Sequence, residues 1–81
     1  MEIVWSLHAL AEADRRNIDL QDVERILVQP GQVHTVRPGR QVWQGILASG
    51  HLLRVFVDID RNPWEIVTVY RTSKVGKYWR P

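Results

Sequence analysis

The chain has 81 residues, no cysteine and a net charge of +2, which limits it to one small domain, 1–81, without disulfides or thiolate metal sites. Hydrophobic residues make up 44% and charged residues 25%, the balance of a globular domain. No apolar run approaches the roughly 18 residues of a membrane-spanning helix, and no signal-peptide pattern is visible. We therefore expect a cytoplasmic protein without a membrane partner.

Acidic and basic side chains are distributed unevenly along the chain. Residues 1–30 hold three basic and six acidic side chains, whereas residues 31–81 hold eight basic and three acidic ones. The last eleven residues contain four cations and no acid. An acidic first part and a basic second part predict an anionic partner for the second part.

Two helices are predicted in the acidic part. The first runs from about Leu7 to Arg16 behind Ser6, a residue type that caps helix N-termini. Asn17 can end this helix in the left-handed conformation. The second helix runs from Leu20 to Val28 behind the capping residue Asp19, and a proline-glycine pair stops it.

Four β-strands with turn signals between them are predicted after the second helix. They cover residues 32–37, 40–48, 51–59 and 64–71. Because the turns are short, the strands should form an antiparallel meander. Two helices on one face of it define an α+β domain, and residues 1–5 could add a short N-terminal strand.

The turn centres predict a strand register in which position 34 lies opposite 43, 43 opposite 56, and 56 opposite 67. One sheet face is then almost wholly apolar and is expected beneath the helices. It holds Val33, Val42, Ile46, Leu53, Val55, Val57, Ile59, Ile66 and Tyr70. The other face is mixed and holds His34, Trp43, Arg54, Phe56, Asp58, Val67, Val69 and Arg71.

The mixed face and the tail after it are the candidate functional surface. Aromatic rings flanked by arginines on a sheet can stack bases and hold phosphates. In the tail, cations recur at every third position with Tyr78 and Trp79 between the last two, a pattern that suits a ribose-phosphate backbone. Alternatively, the mixed face is a second small core covered by the tail.

Neither a metal nor another cofactor is predicted. The spacing of His8, His34 and His51 fits no local metal motif. An acidic group of Asp58, Asp60 and Glu65 could bind Mg²⁺. However, metal nucleases of the Glu-x-Lys type carry a lysine two residues after the glutamate, and this chain has a valine there.

Several segments together carry a family resemblance. The first helix contains Ser6-Leu7-His8-Ala9, and an arginine pair precedes Asn17. The predicted meander contains 53–58, LRVFVD, and 66–71, IVTVYR, and the tail reads SKVGKYW over 73–79. This pattern resembles a small bacterial family of unknown-function domains that end in a Lys-Tyr-Trp tail. That family looks related to the RelE/ParE and BrnT-like toxins of toxin–antitoxin pairs.

The resemblance implies a RelE-like fold and the toxin of a type II toxin–antitoxin system, a metal-independent endoribonuclease (mRNA interferase) neutralised by a cognate antitoxin. RNA would bind the mixed face and the tail, and the oligomeric state, including a homodimer, stays open. The catalytic candidates are His8, Arg54, Arg71 and Tyr78. The substrate-binding candidates are His34, Arg40, Trp43, Phe56, Lys74, Lys77 and Arg80. The alternative is a non-catalytic module that binds nucleic acid or protein through the same face.

Overall fold

A three-residue strand precedes the two predicted helices, and a short third helix follows the sheet. The computed structural model describes residues 2–81. Its elements are β1 (Ile3–Trp5), α1 (Leu7–Arg15), α2 (Leu20–Val28), β2 (Gln32–Arg37), β3 (Arg40–Ile46), β4 (Leu52–Asp58), β5 (Trp64–Thr72) and α3 (Val75–Tyr78). None of the helices in this described part is long and apolar enough to cross a membrane.

Local sequence chemistry explains where α1 and α2 begin and end. The Ser6 hydroxyl accepts a hydrogen bond from the Ala9 N–H at 3.0 Å, and the Asp19 carboxylate accepts one from Gln21 at 2.8 Å. Each bond satisfies a backbone donor that the first helical turn leaves without a partner. Asn17 has φ 58, the left-handed conformation expected after α1. The predicted caps are therefore confirmed.

The sheet has five strands in the order β1-β5-β4-β3-β2, so the prediction of a four-stranded antiparallel meander is wrong. β2 to β5 do pair antiparallel in chain order. β1 pairs parallel with β5 at the edge, which makes the sheet mixed. The α+β class is confirmed. Sequence patterns hardly reveal such a strand, because three residues show no clear period and their partner lies 61 residues further along.

The hydrophobic core lies between α1, α2 and one face of the sheet, which we call the helix face. The helices contribute small and branched residues, so their backbones approach the strands closely. The buried members are Ala9, Ala13, Ile18, Val23, Ile26, Leu53, Val55, Val57, Ile66 and Val69. At Gly45 a β-carbon would lie 3.2 Å from Ile26, which shows how close α2 comes to β3.

The predicted register is wrong by one residue over most of the sheet. Position 43 lies opposite 33 and 55, and position 56 lies opposite 68. The β3–β4 connection is a three-residue loop, 48–50, closed by a Leu47 N–H to His51 O bond of 2.8 Å. Gly50 takes the left-handed conformation, φ 87, that such loops require. Irregularities near Thr35 and Phe56 shift the other two pairings.

The shift exchanges side chains between the two faces, because side chains alternate along a strand. Trp43, Val69 and Arg71 lie on the helix face rather than on the mixed face. Trp43 packs edge-on against Trp64 with ring centroids 6.4 Å apart. Val42, Ile46 and Tyr70 move the other way, to the face opposite the helices. We call that surface the tail face.

Candidate nucleic-acid interface

The tail, residues 73–81, folds back onto the tail face at β2 and β3. The Trp79 ring lies over Gly31, where a β-carbon would come within 2.6 Å of it. The Gln32 side chain pairs with the backbone of Arg80: its amide nitrogen donates to the Arg80 carbonyl, and its Oε1 accepts from the Arg80 N–H at 3.1 Å. The tail is therefore part of the folded surface.

A chain of hydrogen bonds crosses the tail face beneath the tail. Gln44 is fully buried, and its amide nitrogen donates to Gln32 Oε1 at 2.9 Å and to the Tyr78 carbonyl at 3.1 Å. Its Oε1 accepts from Arg54 Nε at 2.9 Å. A second nitrogen of Arg54 donates to the Tyr70 hydroxyl at 2.5 Å. Gln44 thus holds the guanidinium and the tail in one arrangement.

Three aromatic rings surround the half-buried guanidinium of Arg54. Its central carbon lies 4.2 Å from the centroid of Tyr78, 5.4 Å from that of Phe56 and 5.6 Å from that of Tyr70. Phe56 and Tyr70 stack with centroids 6.0 Å apart, and Lys77 Nζ lies 5.3 Å from the Tyr78 ring. Ring faces attract cations at these distances. The packing fixes Arg54 without neutralising it.

This part of the tail face is electrostatically positive. Among residues 2–81, no Asp or Glu side chain forms an ion pair with Arg54, Lys77 or Arg80. The pKa of the Tyr78 hydroxyl is lowered, first by its hydrogen bond with Tyr70 and further by the charges of Lys77 and Arg54. Such a surface can hold an anion, and its lowered phenol pKa favours proton transfer.

The structure brings six of the predicted site residues to one region. Arg54, Tyr78 and Phe56 form the aromatic cluster with Lys77 at its edge. The other two members border on Gln32: His34 through its ring nitrogen and Arg80 through its backbone.

Three predicted site residues lie on the helix side of the sheet. For Trp43 and Arg71 this corrects the predicted position on the mixed face, whereas His8 lies on α1, the predicted first helix. His8 is exposed in the first turn of α1. Arg71 donates to the carbonyls of Arg16 at 3.1 Å and Asn17 at 3.4 Å, so it stabilises the C-terminal end of α1. Trp43 belongs to the core margin.

Arg40 and Lys74 lie outside the cluster. Arg40 forms a bidentate ion pair with the buried Asp58, at 2.6 and 3.1 Å, and this pair neutralises its charge. Lys74 is exposed at the start of α3, where its backbone N–H bonds to the Thr72 hydroxyl at 3.1 Å. In the described part of the chain no cluster of three or more His, Asp or Glu side chains could hold a metal ion.

Replacing Asp58 with asparagine should lower the free energy of unfolding by about 2 kcal/mol, because it leaves Arg40 without its counter-ion. The hydrogen bond from Arg40 holds the pKa of Asp58 below its usual value of 3.8. The pair therefore stabilises the fold above pH 4, and this contribution is lost as the pH falls through the folded-state pKa. Thermal unfolding at pH 7 and pH 3 should show a smaller difference between wild type and variant at pH 3.

The matched control is Asp60→Asn, whose carboxylate is 56% exposed and 4.0 Å from Arg61. It should change the free energy of unfolding by less than about 0.5 kcal/mol. Equal losses in the two variants would contradict a special role for the Arg40–Asp58 pair.

Replacing Gly31 with alanine should loosen the tail. The new β-carbon would lie 2.6 Å from the rigid Trp79 ring and 3.3 Å from the Gln44 carbonyl, and such overpacking costs about 1–3 kcal/mol. We expect a carboxypeptidase to trim the tail roughly tenfold faster, since about 1.4 kcal/mol corresponds to a factor of ten. Gly76→Ala is the control, because its β-carbon meets nothing within 4 Å. Equal trimming rates would contradict the contact.

The sequence did not single out three residues of this network, namely Gln32, Gln44 and Tyr70. Gln32 and Gln44 belong to no recognised motif, and the predicted register places Tyr70 under the helices. The available signal was the alternation of polar Gln44 with apolar neighbours. With the correct register it places Gln44 opposite both Gln32 and Arg54.

The fold and the site together define a small α+β domain with a basic, aromatic sheet face closed at one edge by its own tail. Residues 5–71 match the family model described as Domain of unknown function (DUF4258), and the chain belongs to this family. The matched range includes Gln44 and Arg54 and ends before Tyr78. No curated protein and no solved structure matches the chain significantly.

Proposed function

We propose that this protein is the toxin of a type II toxin–antitoxin pair: a metal-independent endoribonuclease that a cognate antitoxin neutralises. The observation that carries the proposal is the Arg54 guanidinium, which is oriented by Gln44, surrounded by three rings and free of a carboxylate partner in the described chain. A fixed cation beside aromatic faces suits a phosphate with an unstacked base on either side.

RNA binding would use the unoccupied edge of Arg54. A guanidinium has five N–H donors, and the protein uses two of them, toward Gln44 and Tyr70. The others can grip two phosphate oxygens, the geometry that arginine favours. A base can stack beside the Phe56–Tyr70 pair, while Lys77 adds positive field.

Cleavage would follow from the same contacts. The ribose 2′-oxygen attacks phosphorus, the bond to the 5′-oxygen breaks, and the products are a 2′,3′-cyclic phosphate and a 5′-hydroxyl. Arg54 stabilises the negative charge that grows on the phosphorane. Tyr78 supplies a proton to the leaving oxygen, a role that its lowered pKa favours.

The test is cleavage of single-stranded RNA by the purified protein in EDTA, freed of any partner. We expect products ending in cyclic phosphate, and expression without the antitoxin should arrest growth. Affinity for an uncleavable 2′-deoxy analogue should fall with salt with a log–log slope of about −2, the value for three phosphate contacts. Intact RNA after long incubation would contradict the enzymatic proposal.

A second candidate function is nucleic-acid binding without cleavage. It is favoured by the finding that only Arg54 and Tyr78 of the four predicted catalytic residues meet, while His8 and Arg71 lie on the helix side. This alternative predicts the same salt dependence for RNA without any product. Product analysis therefore separates the two functions.

A further inference from the structure

His34 is a titratable group on the tail face to which the proposed chemistry gives no role. It lies on β2 opposite Val42, which in turn lies opposite Phe56, and its ring is half-buried. Its Nε2 is 3.0 Å from Gln32 Oε1. Hydrogen bonds through Gln32 and Gln44 therefore connect the histidine to Arg54.

The hydrogen-bond chain determines which ring nitrogen carries the proton. Arg54 Nε can only donate, so the Gln44 atom that it contacts is the oxygen, and the amide nitrogen of Gln44 points to Gln32. The Arg80 N–H can only donate as well, which makes the same Gln32 atom an oxygen. A neutral His34 must then donate through Nε2.

This tautomer leaves the lone pair on Nδ1 without a hydrogen-bond partner among the described residues. Burial, followed by the positive charges of Arg80 and Arg54, lowers the pKa of His34. On β3 the facing residues Val42 and Gln44 carry no charge. The lowered pKa favours the neutral ring at pH 7, the state in which an imidazole accepts a proton.

The other two histidines occupy unsuitable positions. His8 lies on the helix side of the sheet, and His51 follows the β3–β4 loop with its Nδ1 2.9 Å from the Ser49 hydroxyl. The acids Asp58 on β4 and Glu65 on β5 are paired with Arg40 and Arg61. Of these groups, His34 alone is connected to Arg54 by hydrogen bonds, through Gln32 and Gln44.

We propose that Nδ1 of His34 is the general base of the RNA cleavage reaction, an assignment that rests on the proposed function. It takes the proton of the attacking 2′-hydroxyl while Tyr78 gives its proton to the leaving 5′-oxygen. One proton is taken up and one is released, and water returns both groups to their starting states. Gln32 Oε1 stabilises the imidazolium through the Nε2–H.

The backbones of β2 and β4 lie about 10 Å apart, twice the strand spacing. The Arg54 side chain reaches over β3 to Gln44 and so narrows that separation. A ribose with its 3′-phosphate bound between the two side chains would place the phosphate on Arg54 of β4 and the 2′-hydroxyl toward His34 of β2. The base and the cation therefore act from opposite sides of the same nucleotide.

The test is His34→Gln, because a glutamine amide can still donate to Gln32 but cannot accept the proton. We expect cleavage to fall about 100-fold or more while affinity for the 2′-deoxy analogue changes less than about threefold. The acidic limb of the rate–pH profile, which in wild type should follow the His34 ring titration seen by NMR, should disappear. Added imidazole should partly restore cleavage to His34→Gly.

The matched control is His51→Gln, which should cleave RNA like wild type. If His34→Gln cleaves as fast as the control, or keeps the acidic limb, the assignment of the base is wrong while the proposed function stands. If wild type binds the analogue and yields no product from RNA, the ribonuclease proposal fails, and the base assignment fails with it.

Discussion

Replacing Arg54 with glutamine should lower the rate of RNA cleavage by about a thousandfold, the largest effect on activity that we expect from one substitution. Gln44 and Tyr70 hold the guanidinium in a fixed orientation, and among residues 2–81 no carboxylate neutralises it, in contrast to Arg40. Its positive charge counters the negative charge that develops on the phosphorane oxygens. Single-turnover cleavage at saturating protein measures this loss separately from binding.

The control for Arg54→Gln is Arg25→Gln, which removes the same charge from the helix layer. Arg25 is 68% exposed and pairs with Asp22 in the adjacent turn. Cleavage should stay within about twofold of wild type, because exposed pairs contribute little. Arg54→Lys separates charge from geometry, because a lysine keeps the positive charge and loses the bidentate contact with the phosphate. If Arg54→Gln cleaves as well as Arg25→Gln, the tail face is not the active surface.

Replacing Gln44 with leucine should cause the largest loss of stability. Gln44 is fully buried and makes three hydrogen bonds, and the leucine would leave Arg54 Nε and the Tyr78 carbonyl without partners. Each unsatisfied buried group costs about 1–3 kcal/mol. We expect the free energy of unfolding to fall by about 2–4 kcal/mol, measured by urea unfolding at pH 7.

Gln41→Leu is the control on the opposite face. Gln41 is half-buried and accepts one hydrogen bond, from the Trp43 ring nitrogen at 3.1 Å, so the loss should be near 1 kcal/mol. Equal losses of unfolding free energy in Gln41→Leu and Gln44→Leu would contradict the larger contribution of Gln44 to stability.

Gln44→Glu separates the positioning role of Gln44 from its contribution to stability. A glutamate would still accept from Arg54, but its charge would neutralise the guanidinium and repel anions. RNA affinity should therefore fall more in Gln44→Glu than in another variant that loses the same free energy of unfolding but keeps the charge of Arg54 unpaired. An unchanged affinity would argue against Arg54 as the phosphate ligand.

The tail covers one part of the face opposite the helices and leaves another part exposed. The sequence left two alternatives open, a nucleic-acid surface and a second core under the tail, and in the structure the tail covers only part of the face. At one edge of the face, Trp79 packs on Gly31, and the backbone of Arg80 bonds to Gln32. Arg54 and Phe56 remain half-exposed beside them. The same tail contributes Tyr78 to the aromatic cluster, so docking of the tail completes the candidate site.

The sequence by itself determined the local structure and the charge distribution. Capping residues at 6 and 19, the left-handed Asn17 and the turn glycines act over a few residues, and the helices and four of the strands follow from them. It also determined that Arg54, Phe56, Tyr78 and the tail cations belong to the second, basic part of the chain.

Only the tertiary structure decided which side chains meet. One residue in a loop or bulge turns a whole strand over, because side chains alternate with a period of two. This moved Trp43 and Arg71 to the helix side and Tyr70 to the tail face. The parallel β1 and the Gln32–Gln44–Arg54 hydrogen bonds join residues from distant parts of the chain. Their pairing depends on packing, and sequence periodicity carries no signal of it.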